Sequence, residues 1–171
     1  MEFLHALVVS LLLGSPGPGA PPRFVPAHSH PEAAAMDSVT ATLRAPETTA
    51  SGVPVALTLV VENTGSEPAV LYVTGRPPAV DVRVEDAEGR LVWRRLEGET
   101  VSMVLQVLRL APGERREFDV EWDQRDEHGR PVPPGLYRVR GALLTEGGGS
   151  LTTDPEVLRI EPRGGDPNPG R

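Results

Sequence analysis

Alternation of apolar and polar positions is the dominant period of this chain, and it recurs in short segments separated by turn residues. In Val53 to Asn63, Val55, Leu57, Leu59 and Val61 point one way, and Ala56, Thr58, Val60 and Glu62 point the other. A strand this apolar on both faces is expected at the centre of a sheet. Asn63-Thr64-Gly65-Ser66 turns the chain, and Ala69 to Thr74 is expected to pair next, with Leu71 and Val73 on one face and Tyr72 on the other. Val80, Val82 and Val84 face in, while Asp81, Arg83 and Glu85 face out. The turn Asp86 to Gly89 then makes Val80–Arg94 a hairpin.

Three more strands follow from the same pattern. Leu105 and Val107 oppose Leu108 and Leu110; Phe118, Val120 and Trp122 oppose Glu117, Asp119 and Glu121; Tyr137, Val139, Gly141 and Leu143 oppose Arg138, Arg140 and Ala142. If the last two strands pair, their acidic and Arg faces meet, each contact contributing roughly 0.2–1 kcal/mol; two solvated faces are the alternative. Val157 to Ile160 closes a sheet edge or packs along one. No segment keeps a 3.6-residue period over a helix length. The expected fold class is all-β: an antiparallel immunoglobulin-like β-sandwich with disordered N- and C-terminal tails.

The ends differ in composition from the middle. Phe3 to Leu13 is an apolar run broken by His5 and Ser10, too short for a membrane span and long enough for a signal-peptide hydrophobic region. No Lys or Arg precedes it, and Pro21 and Pro22 follow the small-residue stretch ending at Ala20. Met36 stands just before the first strand and is an alternative start, with residues 1–35 a misassigned extension. The protein is cytoplasmic on that reading and exported if residues 3–13 act as a signal. The expected organisation is therefore residues 1–35 as leader or extension with a Pro/Gly/Ala-rich linker, 36–162 as the sandwich, and 163–171 as a disordered tail. About 110 foldable residues suffice for one sandwich core.

Composition excludes several kinds of chemistry. The chain has no cysteine, which removes disulfides, thiol catalysis and thiolate metal sites together. Its formal net charge of −7 disfavours nucleic acid and anionic membranes as partners of the folded domain. His28 and His30 lie in the linker, with nothing near them to complete a metal ligand set. His128 stands between Glu127 and Gly129, which is turn chemistry rather than a triad. Asp119, Glu121, Asp123, Asp126 and Glu127 form an acidic run, but strand alternation disperses it. No nucleophile, base or metal set converges, so no enzyme activity, cofactor or metal is expected. Trp93 and Trp122 sit in strand patterns and read as core, and Tyr137 after Pro-Gly reads as a corner-locking tyrosine.

An ordered set of motifs narrows the reading. Asn63 ends a strand; Glu85-Asp-Ala-Glu-Gly-Arg-Leu-Val-Trp-Arg94 carries an Asp…Gly turn followed by Val-Trp-Arg; Leu110-Ala-Pro-Gly-Glu114 precedes Phe118-Asp-Val-Glu-Trp122; and Pro134-Gly-Leu-Tyr137 opens another strand. In this order the pieces resemble the BsuPI-type intracellular proteinase inhibitor family of bacteria, over roughly residues 39 to 145. The chain departs from the family pattern at Thr74-Gly75-Arg76-Pro77-Pro78, where members tend to have Ser-Gly-Gln, and at Arg95-Leu96-Glu97-Gly98, where they tend to have Trp-Ser-x-Gly.

The resemblance implies a monomeric binding protein that blocks a subtilisin-type serine protease through an exposed loop. A non-inhibitory immunoglobulin-like interaction module of the cell envelope is the alternative. Three loops are candidates. Leu96 to Met103 comes first: Gly98 gives it a turn, and Leu96, Val101 and Met103 are apolar side chains for a specificity pocket beside Glu97. Its competing reading is an ordinary crossover. Arg76, Pro77 and Pro78 form the second loop, stiffened by its prolines, and the acidic Asp123 to Pro134 the third. A rigid, protruding, apolar-tipped loop favours inhibition, and one packed against the sheet favours the module.

Overall fold

The computed structural model describes residues 38–164. The expectations for residues 1–35, for His28 and His30 and for the tail beyond residue 164 lie outside the described residues. The strands are β1 (Val39–Arg44), β2 (Thr48–Ala50), β3 (Val55–Asn63), β4 (Ala69–Thr74), β5 (Val80–Asp86), β6 (Leu91–Arg94), β7 (Leu105–Leu110), β8 (Arg115–Trp122), β9 (Gly135–Leu144), β10 (Ser150–Thr152) and β11 (Glu156–Glu161).

One sheet runs β1-β3-β8, with the two-faced apolar β3 at its centre as expected. The other runs β2-β11-β9-β5-β6, and β10 pairs with the far part of β9. β4 and β7 form a two-stranded ribbon. The pairings are antiparallel except the short β2–β11 contact. Leu57, Leu59, Val61 and Trp122 of the first sheet share one core with Val82, Val84, Val139 and Leu143 of the second. The layers meet closely at Gly141, where a Cβ would lie 3.0 Å from Leu59 Cδ1 and 3.3 Å from Leu43 Cδ1.

Trp93, Trp122 and Tyr137 pack together. Trp122 is fully buried, stacks on Trp93 at 6.1 Å and meets the edge of Tyr137 at 5.8 Å. Its indole N–H donates to Arg125 O at 2.9 Å. The Tyr137 hydroxyl donates to Pro133 O at 2.6 Å, which locks the corner into β9, and burial pushes its pKa up.

Two strand-level expectations need correction, and one pairing left open is decided. β4 pairs with β7, not with its sequence neighbour β3. Asn63 redirects the chain: its fully buried amide donates to Glu67 O at 2.7 Å and to Leu110 O at 3.0 Å, and its carbonyl oxygen accepts from Gly65 N at 3.0 Å. β8 pairs with β3 rather than β9, so its acids meet other partners. Thr58 Oγ1 donates to Asp119 and Arg44 to Glu117, each at 2.8 Å. Asp81, expected outside, is 3% exposed. Arg94 Nε donates to its Oδ2 at 2.7 Å, and that pairing is what makes a buried carboxylate tolerable.

Candidate functional site

Two of the three candidate loops come together at one end of the sandwich. Residues 75–79 carry the chain from β4 to β5, and residues 95–104 carry it from β6 to β7. The Gly75 N–H donates to Val104 O at 2.8 Å, and Gln106 Nε2 donates to Gly75 O. Gly75 sits at φ +96, where a side chain would strain the backbone and strike Pro77 O at 2.9 Å. The peptide bond between Arg76 and Pro77 is cis. Arg76 and Pro77 are exposed, and Pro78 is half-buried.

The buried Asp81 and the Arg95 side chain hold the start of the longer loop. Asp81 Oδ1 accepts from Leu96 N at 3.3 Å while Oδ2 holds Arg94. The Arg95 guanidinium donates to Val80 O at 2.6 Å. Arg95 N donates to Val82 O at 2.9 Å, which extends the sheet past the end of β6. Glu97 N to Arg94 O at 3.1 Å and Glu99 N to Leu96 O at 3.2 Å then fold the chain over Gly98, whose φ is +71.

The three apolar side chains expected to fill a specificity pocket have different fates. Leu96 and Val101 are half-buried and line a groove with Pro77, Pro78 and Ala79. Glu97 and Gly98 are exposed. Met103 stands 85% exposed. The loop therefore combines both expected behaviours: its base packs against the neighbouring loop and its far side projects. A third segment borders it, since Val101 and Met103 also line a groove with Thr145 and Gly147 in the turn between β9 and β10.

Exposed apolar surface gathers here. Of the nine large hydrophobic residues exposed among those described, five (Tyr72, Met103, Val104, Leu105 and Val107) lie on the β4–β7 ribbon and the loop leading into it. The register places Tyr72 opposite Val107 and Thr74 opposite Leu105, which puts these four on one outer face.

The third candidate loop, 123–134, lies at the other end, where Glu127 N donates to Val92 O at 3.1 Å. It has a twin in the β5–β6 turn. Asp86-Ala-Glu-Gly-Arg90 and Asp126-Glu-His-Gly-Arg130 fold alike: each Asp accepts from the Arg four residues on, through both its backbone N–H and its Nε. The Arg130 backbone N–H, its guanidinium and the His128 N–H hold the Asp126 carboxyl down at about 2, and the Arg90 backbone and side chain lower that of Asp86. His128 is exposed, and its backbone N–H serves the turn. Among the described residues, no three His, Cys, Asp or Glu side chains gather to hold a metal.

Sequence reasoning singled out the loops but missed Asp81, Gln106 and the turn 145–149. The run Glu146-Gly-Gly-Gly149 signals a turn, but nothing local says which loops it will border. Gln124, 2% exposed at φ 58, was also missed; its side chain accepts from Gly52 N at 2.8 Å and donates to Ala50 O at 3.0 Å.

Comparison with known proteins gives the family. The model of the BsuPI family, intracellular proteinase inhibitor, matches residues 42–148, and the chain belongs to that family. No curated protein matches the chain. Among solved structures it is similar to a β-glucosidase from Erythrobacter marinus, at 17% identity and TM-score 0.42 over 72% of this chain and 15% of that one. It is also similar to PorU from Porphyromonas gingivalis, at 18% identity and TM-score 0.41 over 73% of this chain and 10% of that one. The third is a CARDB domain from Pyrococcus furiosus, at 15% identity and TM-score 0.35 over 73% and 87% of the two chains. The chain thus spans only a small part of the first two, and likenesses of this size carry no functional argument.

Proposed function

We propose that this member of the intracellular proteinase inhibitor family acts as a monomer and blocks a subtilisin-type serine protease with the end of the sandwich built from residues 74–79 and 95–104. The observation that carries the reading is the gathering of exposed apolar side chains at and beside this end, five of nine among the described residues. Protease–inhibitor interfaces bury about 1,600 Å² in total and rest on a few well-anchored apolar groups. The loops also meet the energetic requirement. Asp81, Arg95 and the Gly75–Val104 bond hold them before any partner arrives. Little ordering entropy is then lost on binding.

The test is inhibition of a purified intracellular-type subtilisin by the full chain, beside a variant with Leu96, Val101 and Met103 replaced by Ala. Loss of inhibition in a variant that still folds is the expected result. Retained inhibition would move the contact to another loop, Arg76 to Pro78 or 123–134. No inhibition by the parent across several serine proteases would favour the non-inhibitory module.

A further inference from the structure

We infer that Met103 is the protease-inserting anchor of this loop and that its thioether is a site of reversible oxidation which switches inhibition off. The inference rests on the inhibitor reading above and deepens it. Leu96 and Val101 are half-buried and occupied in the packing of the loop's base, and Val104 is 47% exposed. Met103 is 85% exposed, the highest exposure among the large hydrophobic residues described. The chain on both sides of it is held: Val101 lies in two grooves, and Val104 O accepts from Gly75 N at 2.8 Å. A long, unbranched, apolar side chain presented from a tethered segment suits a deep apolar specificity pocket.

The sulfur at that tip is chemically distinctive in this chain. There is no cysteine, and of the three methionines Met1 and Met36 lie outside the described residues. Met103 is therefore the one sulfur among the described residues, and it stands at the most accessible apolar position. A hydroperoxide transfers one oxygen to the thioether; the sulfur is oxidised to the sulfoxide and the peroxide is reduced to water or an alcohol. The product carries a strong S=O dipole where an apolar pocket offers no donor. Binding should weaken by about tenfold to a hundredfold. The fold should change little, because the side chain is 85% exposed.

The experiment treats the full chain with hydrogen peroxide, locates the added oxygen by peptide mass spectrometry, and measures the inhibition constant against a subtilisin with an apolar primary pocket. The expected result is a rise of about tenfold or more that tracks oxygen on Met103, is reversed by the two epimer-specific methionine sulfoxide reductases with a dithiol as reductant, the oxygen leaving as water, and is absent from a preformed complex in which Met103 is shielded. The same ratio, oxidised over untreated, is measured for Met103→Leu, so that any effect of the substitution itself cancels; it should be close to one. An unchanged constant with Met103 fully oxidised, or equal oxidation of Met103 in the complex and the free chain, would overturn the inference and leave the inhibitor reading standing. A parent chain that never inhibits would overturn both.

Discussion

Replacing Asn63 by Ala should destabilise the protein by about 2–4 kcal/mol without changing its inhibition constant. The side chain is fully buried and makes three hydrogen bonds, to Glu67 O, Leu110 O and Gly65 N, at 2.7 to 3.0 Å. Each contributes about 0.5–1.5 kcal/mol net, and the Leu110 carbonyl, left dry, adds the cost of an unmet acceptor. Asn63→Asp should be worse at neutral pH despite its matching shape. It replaces the donating amide by an oxygen that faces two carbonyl oxygens and carries charge into the interior. Urea unfolding followed by tryptophan fluorescence suits the assay, because Trp122 is buried and stacked on Trp93. With a slope of about 2 kcal/mol per molar urea, the midpoint should fall by about 1–2 M for the Ala variant. Asn63 lies at the far end of β7 from Leu105, so measurements on the folded fraction should give the parental inhibition constant. A loss under about 1 kcal/mol, or an Asp variant as stable as the Ala variant, would refute the account of how β3 hands the chain to β4.

Asp81→Asn should do the reverse in emphasis: it keeps the shape but removes the charge that holds Arg94 and weakens the bond to Leu96 N, so inhibition should weaken by about threefold to thirtyfold while stability falls by about 1–2 kcal/mol, a figure reduced because Arg94 is partly solvated. Val101→Ala combined with Pro78→Ala should show a coupling of about 0.5–1 kcal/mol in a double-mutant cycle on the inhibition constant, because both side chains line one groove; strict additivity would show that the loops act separately. On acidification, the depressed carboxyls of Asp86 and Asp126 contribute stability that is complete above their unfolded value near 3.8 and lost as pH falls through their lowered folded values, about 2 for Asp126. Thermal unfolding between pH 5 and pH 2 should show that loss, and Asp126→Asn should flatten part of it.

Most strands from β3 onward were legible because each carries its own two-residue period, and Asp-x-x-Gly-Arg or Pro-Gly marks several of the turns, whereas the three-residue β2 and β10 are too short to show a period. Pairing was not. Every apolar strand can satisfy any other along its edge, and the buried Asn63 amide that ties the end of β3 to Leu110 beside the β4–β7 pair reads only as turn composition in the sequence. Asp81 misled for a related reason: alternation assigns it to the outer face, and only the hairpin that brings Arg94 beside it shows that the outer face is covered there.

The convergence of the two candidate loops follows from the pairings rather than from either loop. β4 ends at Thr74 opposite the start of β7 at Leu105, and β5 begins where β6 ends, with Arg83 opposite Arg94 and Val82 O taking the N–H of Arg95. Two antiparallel pairs joined by two crossovers, β4 to β5 and β6 to β7, must place both crossovers at the same end. Residues 75–79 and 95–104 are therefore neighbours by topology, whatever residues they contain. Their contents can vary without moving the surface they make. That separation between a frame set by strand pairing and a surface set by loop chemistry lets such a fold be retargeted by changing a handful of side chains.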